Sequence, residues 1–237
     1  MIIHKLIAHH FKHKDDAEFY RLQAEDAIRW IEAHGVRFDG ETKVLDLGCG
    51  HGVFGGEIAK RGSQVVFADE ANFLLEENRS LPFRQINIDQ EDPARLGEYD
   101  VVVCSNVFEH LAKPEQFIAA VPRLLAPDGL LYLSWTNWLS PWGGHEFSPF
   151  HFLGPHWGPA AYDRVIGKIR KHTPYQNLFP TFLGRTLRLI RRAPDLKIVQ
   201  AAPRYYPEAA FVMRIPVIRE FLAWNCALLL RKFPPRR

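Results

Sequence analysis

The chain has 237 residues, of which 47% are hydrophobic, and it carries a formal net charge of +3. This length accommodates one large core or a core with a cap, so we expect one α/β domain with insertions. No stretch holds the roughly 18 consecutive apolar residues of a membrane span, and the first residues lack the features of a signal peptide. We therefore expect a protein that neither spans a membrane nor is exported. The three cysteines, Cys49, Cys104 and Cys226, are scattered and odd in number, which favours reduced thiols in the cytoplasm.

The charge is distributed unevenly along the chain. From residue 180 onward, 12 Lys or Arg against three Asp or Glu give +9, so the other 179 residues carry −6. A basic end on an acidic body favours an anionic surface or substrate near the C-terminal elements. Scattered, solvated charges are the alternative.

Helices and strands alternate along the chain. Apolar spacing predicts a helix over 15–34 and strands over 43–47, 64–68, 83–88, 99–104 and 130–135, with helices at 53–60, 71–79 and from Pro114. Further helices are predicted at 159–171 and 186–192, and strands at 196–200 and 223–230, with helical, aromatic material at 205–222. The first five strands predict a doubly wound parallel sheet, which binds ligands at the carboxyl ends of its strands. Asp46, Asp69, Asp89 and Ser105 follow four of these strands, so we expect them beside one crevice.

The first strand leads into a glycine-rich loop, in which Asp46 is followed by Gly48, Gly50 and Gly52. Glycine has no Cβ, so such a loop lets a polar cofactor lie against the main chain. Gly50, Gly52 and Gly55 also satisfy the G-x-G-x-x-G pattern of dinucleotide-binding proteins, which leaves an NAD-dependent oxidoreductase open. Asp46 favours S-adenosylmethionine (SAM), because a carboxylate there repels a pyrophosphate and attracts the amino group of a methionine moiety.

Segment 46–52 resembles motif I, D-x-G-x-G-x-G, of the class I SAM-dependent methyltransferases, the broad group that includes the ubiquinone and menaquinone methyltransferases. The specific motifs cover about residues 40–135, and segment 104–111 with its Glu109-His110 pair matches the pattern after strand 4. The resemblance implies a Rossmann-like, seven-stranded sheet with helices on both faces and a terminal antiparallel hairpin. The residues themselves predict insertions after strand 5 and between strands 6 and 7.

The same resemblance implies SAM as the cofactor and assigns residues to it. Motif I contributes Asp46, Gly48, Cys49, Gly50 and Gly52. Asp69 is expected at the ribose, with Glu70 beside it among the cofactor residues, and Asp89 and Gln90 are expected at the adenine. Ser105, Asn106 and His110 are the cofactor residues expected after strand 4. Segments 138–146 and 203–207 resemble a narrower set of bacterial methyltransferases suspected of acting in cell-envelope glycan or glycolipid assembly. This second resemblance implies O-methylation of a sugar, glycolipid or other lipid-linked or small-molecule acceptor.

A hydroxyl acceptor needs a base because it stays protonated at neutral pH, and histidine suits that role. The loop over 136–158 is long enough to cover a site. It carries the favoured catalytic pair, His145 and Glu146; His110 is the second candidate, and an architectural role is the alternative for each histidine. A metal site made of His145, Glu146 and His151 is disfavoured, because the H-E-x-x-x-x-H spacing and nearby prolines do not align two imidazoles on a helix. We expect no metal.

The predicted organisation is a single domain over 1–237. It comprises an N-terminal helical lid (1–35), a cofactor-binding core (40–135), an acceptor-side insertion (136–192) and terminal strands (193–237). The basic, apolar N-terminal segment is expected to cover the crevice or, together with 205–222, to contact the inner face of a membrane. No nucleic-acid module is recognised. A protein that binds SAM without catalysing transfer is the third alternative, and the sequence does not determine the oligomeric state.

Overall fold

The computed structural model describes residues 16–233 and is organised around one seven-stranded sheet with the order β3-β2-β1-β4-β5-β7-β6. The strands are β1 (Lys43–Leu47), β2 (Gln64–Asp69), β3 (Phe83–Gln85), β4 (Tyr99–Ser105), β5 (Leu125–Thr136), β6 (Leu196–Pro203) and β7 (Asn225–Lys232). The first five strands are parallel, and β7 is antiparallel to both β5 and β6. The predicted seven-stranded sheet with its terminal antiparallel hairpin is therefore confirmed.

Six α-helices accompany the sheet in the part of the chain that the structure describes. They are α1 (Asp16–Glu32), α2 (Val53–Ala59), α3 (Pro114–Leu124), α4 (Gly154–Val165), α5 (Leu183–Arg191) and α6 (Ile218–Leu222). Short 3-10 turns at Glu76–Asn78, Phe108–His110, His145–Phe147 and Pro207–Arg214 lie in the connections. Between residues 16 and 233, no helix has both the length and the apolar character to cross a membrane.

Both faces of the sheet are buried, as the continuous apolar strands require. Leu45, Val102 and Leu131 pack in one cluster with residues of α3 and α5. On the other face, Val44 and Val103 pack with residues of α1 and α2. The lid and membrane predictions for residues 1–15 lie outside the described residues.

The helix predicted at 71–79 is wrong, because only the 3-10 turn at Glu76–Asn78 forms there. The backbone N–H of Leu75 donates to the carbonyl of His51 at 3.1 Å, and the Asn72 side chain accepts from the N–H of Leu74 at 3.1 Å. The N–H groups of Leu74 and Leu75 are therefore bonded to acceptors outside the hydrogen-bond pattern of a helix. The segment instead lies against the glycine loop.

Strand β3 ends three residues earlier than predicted. The Asn87 side chain accepts from the backbone N–H of Asp89 at 3.1 Å, which turns the chain away from the sheet. Helix α4 starts five residues before its predicted position and ends at Val165, shortly before Gly167, whose φ is +67°. Strand β7 lies two residues later than predicted.

Helix α5 begins three residues before its predicted start. Its first N–H groups are capped by a side chain from elsewhere in the chain: the Glu220 carboxylate accepts from Leu183 at 2.9 Å and from Gly184 at 2.7 Å. Local sequence does not reveal such a cap, because the acceptor comes from α6.

Candidate active site

The glycine loop connects β1 to α2 through three left-handed residues. Gly48, Gly50 and Gly52 have φ values of +70°, +51° and +74°. A Cβ on Gly48 would lie 2.3 Å from Cγ2 of Val107, whereas a Cβ on Gly50 would meet nothing within 4 Å. Gly48 is therefore needed for close packing against the segment after β4, and Gly50 leaves an open main-chain surface for a ligand.

Asp46 lies beneath this loop and is only 2% exposed. Its Oδ2 accepts a hydrogen bond from the N–H of Gly55 at 2.8 Å, which closes the turn into α2. Burial raises the pKa of Asp46 to about 7; the Gly55 hydrogen bond lowers it and the nearby Asp69 raises it. The predicted contact between Asp46 and an amino group stays a prediction.

Two further carboxylates, one at the end of β2 and one in the loop after β3, hold the main chain around the crevice. Oδ2 of Asp69 accepts from the N–H of Gly50 at 2.8 Å and so joins β2 to the glycine loop. Both oxygens of Asp89 accept from the N–H of Ala112, at 2.9 and 3.1 Å, and Oδ1 accepts from Lys113 at 3.2 Å. Asp89 therefore positions the residues that precede α3, and its implied contact with an adenine stays a prediction.

An open hollow of about 640 Å³ lies at the β3 edge of the sheet. It is lined by Glu70, Ala71, Gln85, Asn87, Glu91 and Arg95. Glu70 and Gln90, two of the predicted cofactor residues, are both exposed. Of these two residues, Glu70 lines the hollow and Gln90 does not.

The tips of β4 and β5 meet a buried arginine that the sequence did not assign to any role. Arg204, 7% exposed, donates from Nη1 to Oδ1 of Asn106 at 2.8 Å and to Oγ of Ser134 at 3.3 Å. Ser134 also donates to Oγ of Ser105 at 3.1 Å. No carboxylate among the described residues pairs with Arg204, so its positive charge is held only by neutral oxygens.

Three histidines from distant segments meet in a group that we call the histidine cluster: His110, His145 and His172. The ring centres are 5.2 Å apart for His110 and His145, 5.3 Å for His110 and His172, and 4.6 Å for His145 and His172. The sequence singled out His110 and His145 but missed His172, which lies between α4 and α5. No local motif surrounds His172 that would have identified it.

Neighbouring groups orient the rings of this cluster. Nδ1 of His172 lies 2.6 Å from Oε2 of Glu146, and the backbone N–H of His172 donates to Oε1 at 2.6 Å. Nδ1 of His110 lies 2.6 Å from the carbonyl oxygen of Asn177. Nε2 of His145 is buried and has no hydrogen-bond partner among the described residues. In His110 and His172, Nδ1 is therefore engaged and Nε2 is left available.

Burial and neighbouring groups shift the pKa values of His145 and Glu146. Burial, with smaller contributions from His110 and His172, lowers the pKa of His145 to about 3. Partial burial raises the pKa of Glu146, but the hydrogen bonds from His172 outweigh this effect and hold that pKa below its usual value. His145 is therefore a neutral imidazole near pH 7, and Glu146 is a carboxylate.

The residues considered from sequence for a metal site do not come together as a set. Nε2 of His151 lies 2.9 Å from the carbonyl oxygen of Ser140, and the ring is fully buried. Glu109, next to His110, accepts from the N–H of Thr136 at 2.9 Å and so holds the end of β5. His151 and Glu109 contact main-chain groups of Ser140 and Thr136, whereas Glu146 lies against His172 of the histidine cluster.

Comparison with known proteins agrees with this geometry. A family model described as a methyltransferase domain matches residues 45–131. An uncharacterized methyltransferase of Mycobacteroides abscessus is 31% identical over 242 residues, covering 95% of this chain and 92% of the relative.

Solved structures share the fold at low sequence identity. A putative SAM-dependent methyltransferase from Listeria monocytogenes superposes with a TM-score of 0.58 at 17% identity, covering 89% of this chain and 98% of the other. Magnesium protoporphyrin IX methyltransferase from Synechocystis, solved with bound S-adenosylhomocysteine (SAH), gives a TM-score of 0.54 at 15% identity, with coverages of 90% and 83%.

These relationships decide between the two cofactor patterns that the glycine loop satisfies. The relative from Mycobacteroides abscessus, which covers 95% of this chain, is described as a methyltransferase, and the methyltransferase from Synechocystis was solved with bound SAH. The sheet order and the glycine loop agree with that assignment. The chain therefore belongs to the class I SAM-dependent methyltransferase family.

Proposed function

We propose that the chain transfers the methyl group of SAM to a hydroxyl oxygen of a sugar, a glycolipid, or another lipid-linked or small-molecule acceptor. The main support for a hydroxyl acceptor is the contact between the Glu146 carboxylate and the His172 ring of the histidine cluster. A carboxylate bound to one imidazole nitrogen leaves the other nitrogen free to take a proton. Methyl transfer to an alcohol requires such a group, because the alcohol proton must leave.

The glycine loop fits the cofactor that the family uses. The open main-chain surface at Gly50 and the carboxylate of Asp69 beside it would hold the nucleoside, and Ser105 and Asn106 would lie across the crevice. When bound, SAM supplies an electrophilic methyl group on a sulfonium sulfur. The protein's contribution is then to align the acceptor oxygen and exclude water, which is worth several kcal/mol, up to about 7–11 in ideal cases.

Removal of the hydroxyl proton is assigned to the histidine cluster. His172 is the proposed base, since Glu146 holds its Nδ1 and leaves Nε2 to accept the proton. His145, the base favoured from sequence, holds a proton poorly because its pKa is about 3. We therefore assign His145 and His110 to contacts with the acceptor beside the base.

An exposed apolar surface around α6 supports a lipid-linked acceptor. Phe211, Val217, Phe221 and Leu222 are 64%, 70%, 47% and 49% exposed, and Arg214 is exposed among them. Apolar side chains next to a cation suit the boundary of an anionic bilayer. This surface supports action from the cytoplasm at the inner face of the membrane, within cell-envelope assembly.

The experiment is incubation of the protein with SAM and hydroxyl-bearing sugars or glycolipids, followed by mass analysis of the acceptor. We expect the gain of one methyl group on oxygen. Binding of SAH without any methylated product across these acceptors would favour the non-catalytic alternative.

The base assignment is tested in the same assay with three variants. His172→Gln is expected to lose about 10²–10⁴-fold in turnover while keeping its affinity for SAH. His145→Gln is expected to weaken acceptor binding more than turnover, and His156→Gln, a change of an exposed histidine, is the control. Turnover of His172→Gln equal to that of the control would refute the assignment.

A further inference from the structure

We propose that the histidine cluster is a binding site for one divalent transition-metal ion, with His110, His145 and His172 as its three ligands. The ion is of the zinc class. Metal binding at this cluster does not depend on the proposed function. Only the expected effect of the ion on methyl transfer rests on it.

The spacing of the rings suits a single ion. One candidate ligand nitrogen from each histidine lies within 4.8 Å of the others. Three imidazoles at Zn–N distances of about 2.0–2.1 Å in a tetrahedron have nitrogens about 3.3 Å apart and ring centres about 5 Å apart. The observed ring separations of 4.6, 5.2 and 5.3 Å already match that arrangement.

The outer hydrogen bonds are those of metal-binding histidines. Such histidines engage their second ring nitrogen with a carboxylate or a backbone carbonyl, which orients the ring and fixes its tautomer. Glu146 does this for His172, and the carbonyl of Asn177 does it for His110. In both rings Nε2 is left with its lone pair.

His145 supplies an independent observation. Its Nε2 is buried and unpartnered within the described residues, and a buried polar atom without a partner costs free energy. The ring lies against both other members of the cluster. A cation among the three rings provides a partner for imidazole lone pairs.

The donor set indicates the class of ion. Three neutral imidazoles favour Zn²⁺, Co²⁺, Ni²⁺ or Cu²⁺ over Mg²⁺ and Ca²⁺, which prefer oxygen ligands. All three histidines are partly exposed, and an ion held by three protein ligands keeps a fourth coordination position for a non-protein ligand. That position suits a water molecule or an oxygen of the acceptor.

The ion and the proposed base function exclude each other. Nε2 of His172 cannot hold a metal ion and accept the acceptor's proton at the same time, because both use one lone pair. A bound ion is therefore expected to inhibit methyl transfer by the free base.

The test begins with chelator-treated protein titrated with Zn²⁺ by calorimetry and with Co²⁺ by visible absorption. We expect one ion per chain, a Co²⁺ spectrum typical of tetrahedral coordination, and affinity at least tenfold lower in His172→Gln and His145→Gln. His156→Gln should bind like the unmodified chain, and SAH titration of every variant checks that it is folded. Absence of stoichiometric binding, or equal affinity in the cluster variants and the control, would overturn the metal site.

Methyl-transfer assays separate this inference from the proposed function. Inhibition by stoichiometric Zn²⁺, reversed by chelator, supports both. Stoichiometric binding that leaves transfer unchanged or raises it supports the metal site and refutes His172 as the free base. Normal transfer by a chain that binds no ion refutes the metal site and leaves the proposed base intact.

Discussion

The guanidinium of Arg204 donates a 2.8 Å hydrogen bond to Oδ1 of Asn106, although the two residues are 98 positions apart in the chain. Asn106 follows β4 and has a left-handed φ of +58°, which is uncommon for a residue with a side chain. The bond ties this conformation to the end of β6. It also leaves a buried positive charge beside the crevice at the carboxyl ends of the parallel strands.

Replacement of Arg204 should weaken cofactor binding. A hydrogen bond from a charged group contributes about 1.5–3 kcal/mol to stability, so Arg204→Gln is expected to lose unfolding free energy of this order. SAH affinity is expected to fall as well, because Asn106 loses the partner that holds its left-handed conformation. Calorimetric titration with SAH measures this. Arg185→Gln is the matched control, because the Arg185 side chain is 68% exposed. Equal affinities in two folded variants would show that Arg204 does not support the crevice.

Replacement of Asp46 by Asn should separate stability from binding. The pKa of Asp46 rises from an ordinary 3.8 to about 7 in the folded chain, first because the carboxyl is buried. Between pH 3.8 and about 7, the Asp46 carboxyl holds a proton in the folded chain that it releases in the unfolded chain. The contribution of Asp46 to the free energy of unfolding therefore falls as pH rises across this range and is lost above about pH 7.

Asp46→Asn keeps an oxygen acceptor for the N–H of Gly55 but has no charge to bury. We expect its melting temperature to exceed that of the unmodified chain by more at pH 8 than at pH 5. SAH affinity should fall, because the predicted partner of the amino group is gone. Glu41→Gln, at an exposed position, is the control. A gain that is equal at both pH values would contradict the burial argument.

Two glycines of the same loop should respond differently to alanine. In Gly48→Ala the new methyl group lies 2.3 Å from Cγ2 of Val107, and this clash should cost about 1–3 kcal/mol of unfolding free energy. The left-handed backbone of Gly48 adds a further cost of about 1–2 kcal/mol. In Gly50→Ala no neighbour is met, and only the left-handed backbone costs about 1–2 kcal/mol. The methyl group there occupies the surface proposed for the cofactor.

Denaturant unfolding and SAH titration distinguish these two effects. Gly48→Ala should be the less stable variant, and Gly50→Ala should lose SAH affinity out of proportion to its stability. The opposite order would mean that Gly50 does not face the cofactor.

The cap of α5 by Glu220 predicts a stability effect distant from the crevice. Glu220→Ala leaves two N–H groups at the start of α5 without their carboxylate, which should cost about 1–2 kcal/mol of unfolding free energy. Glu115→Ala removes only a surface ion pair with Arg185 at 3.4 Å and is expected to cost less than about 1 kcal/mol. Chemical denaturation compares the two, and equal losses would exclude the capping role.

Local patterns predicted the parallel strands of the sheet and the conformation of the glycine loop. Strands β1, β2, β4 and β5 each contain a short apolar run that is buried in the sheet, and such runs are typical of parallel strands covered on both faces. The loop with Gly48, Gly50 and Gly52 is also a local feature, since its left-handed conformations depend on the residues themselves. These features were therefore predictable from the sequence.

Only the tertiary structure decided which side chains meet. His172 joins Glu146 across 26 positions, and the N–H of Phe179 donates to the carbonyl of Glu109 at 2.7 Å, so the loop before α5 is held against the segment after β4. The start of α5 and the place of Arg204 depend in the same way on partners far along the chain. Periodicity and turn chemistry describe neighbours in sequence, whereas these contacts arise from the order of strands and the packing of loops above them.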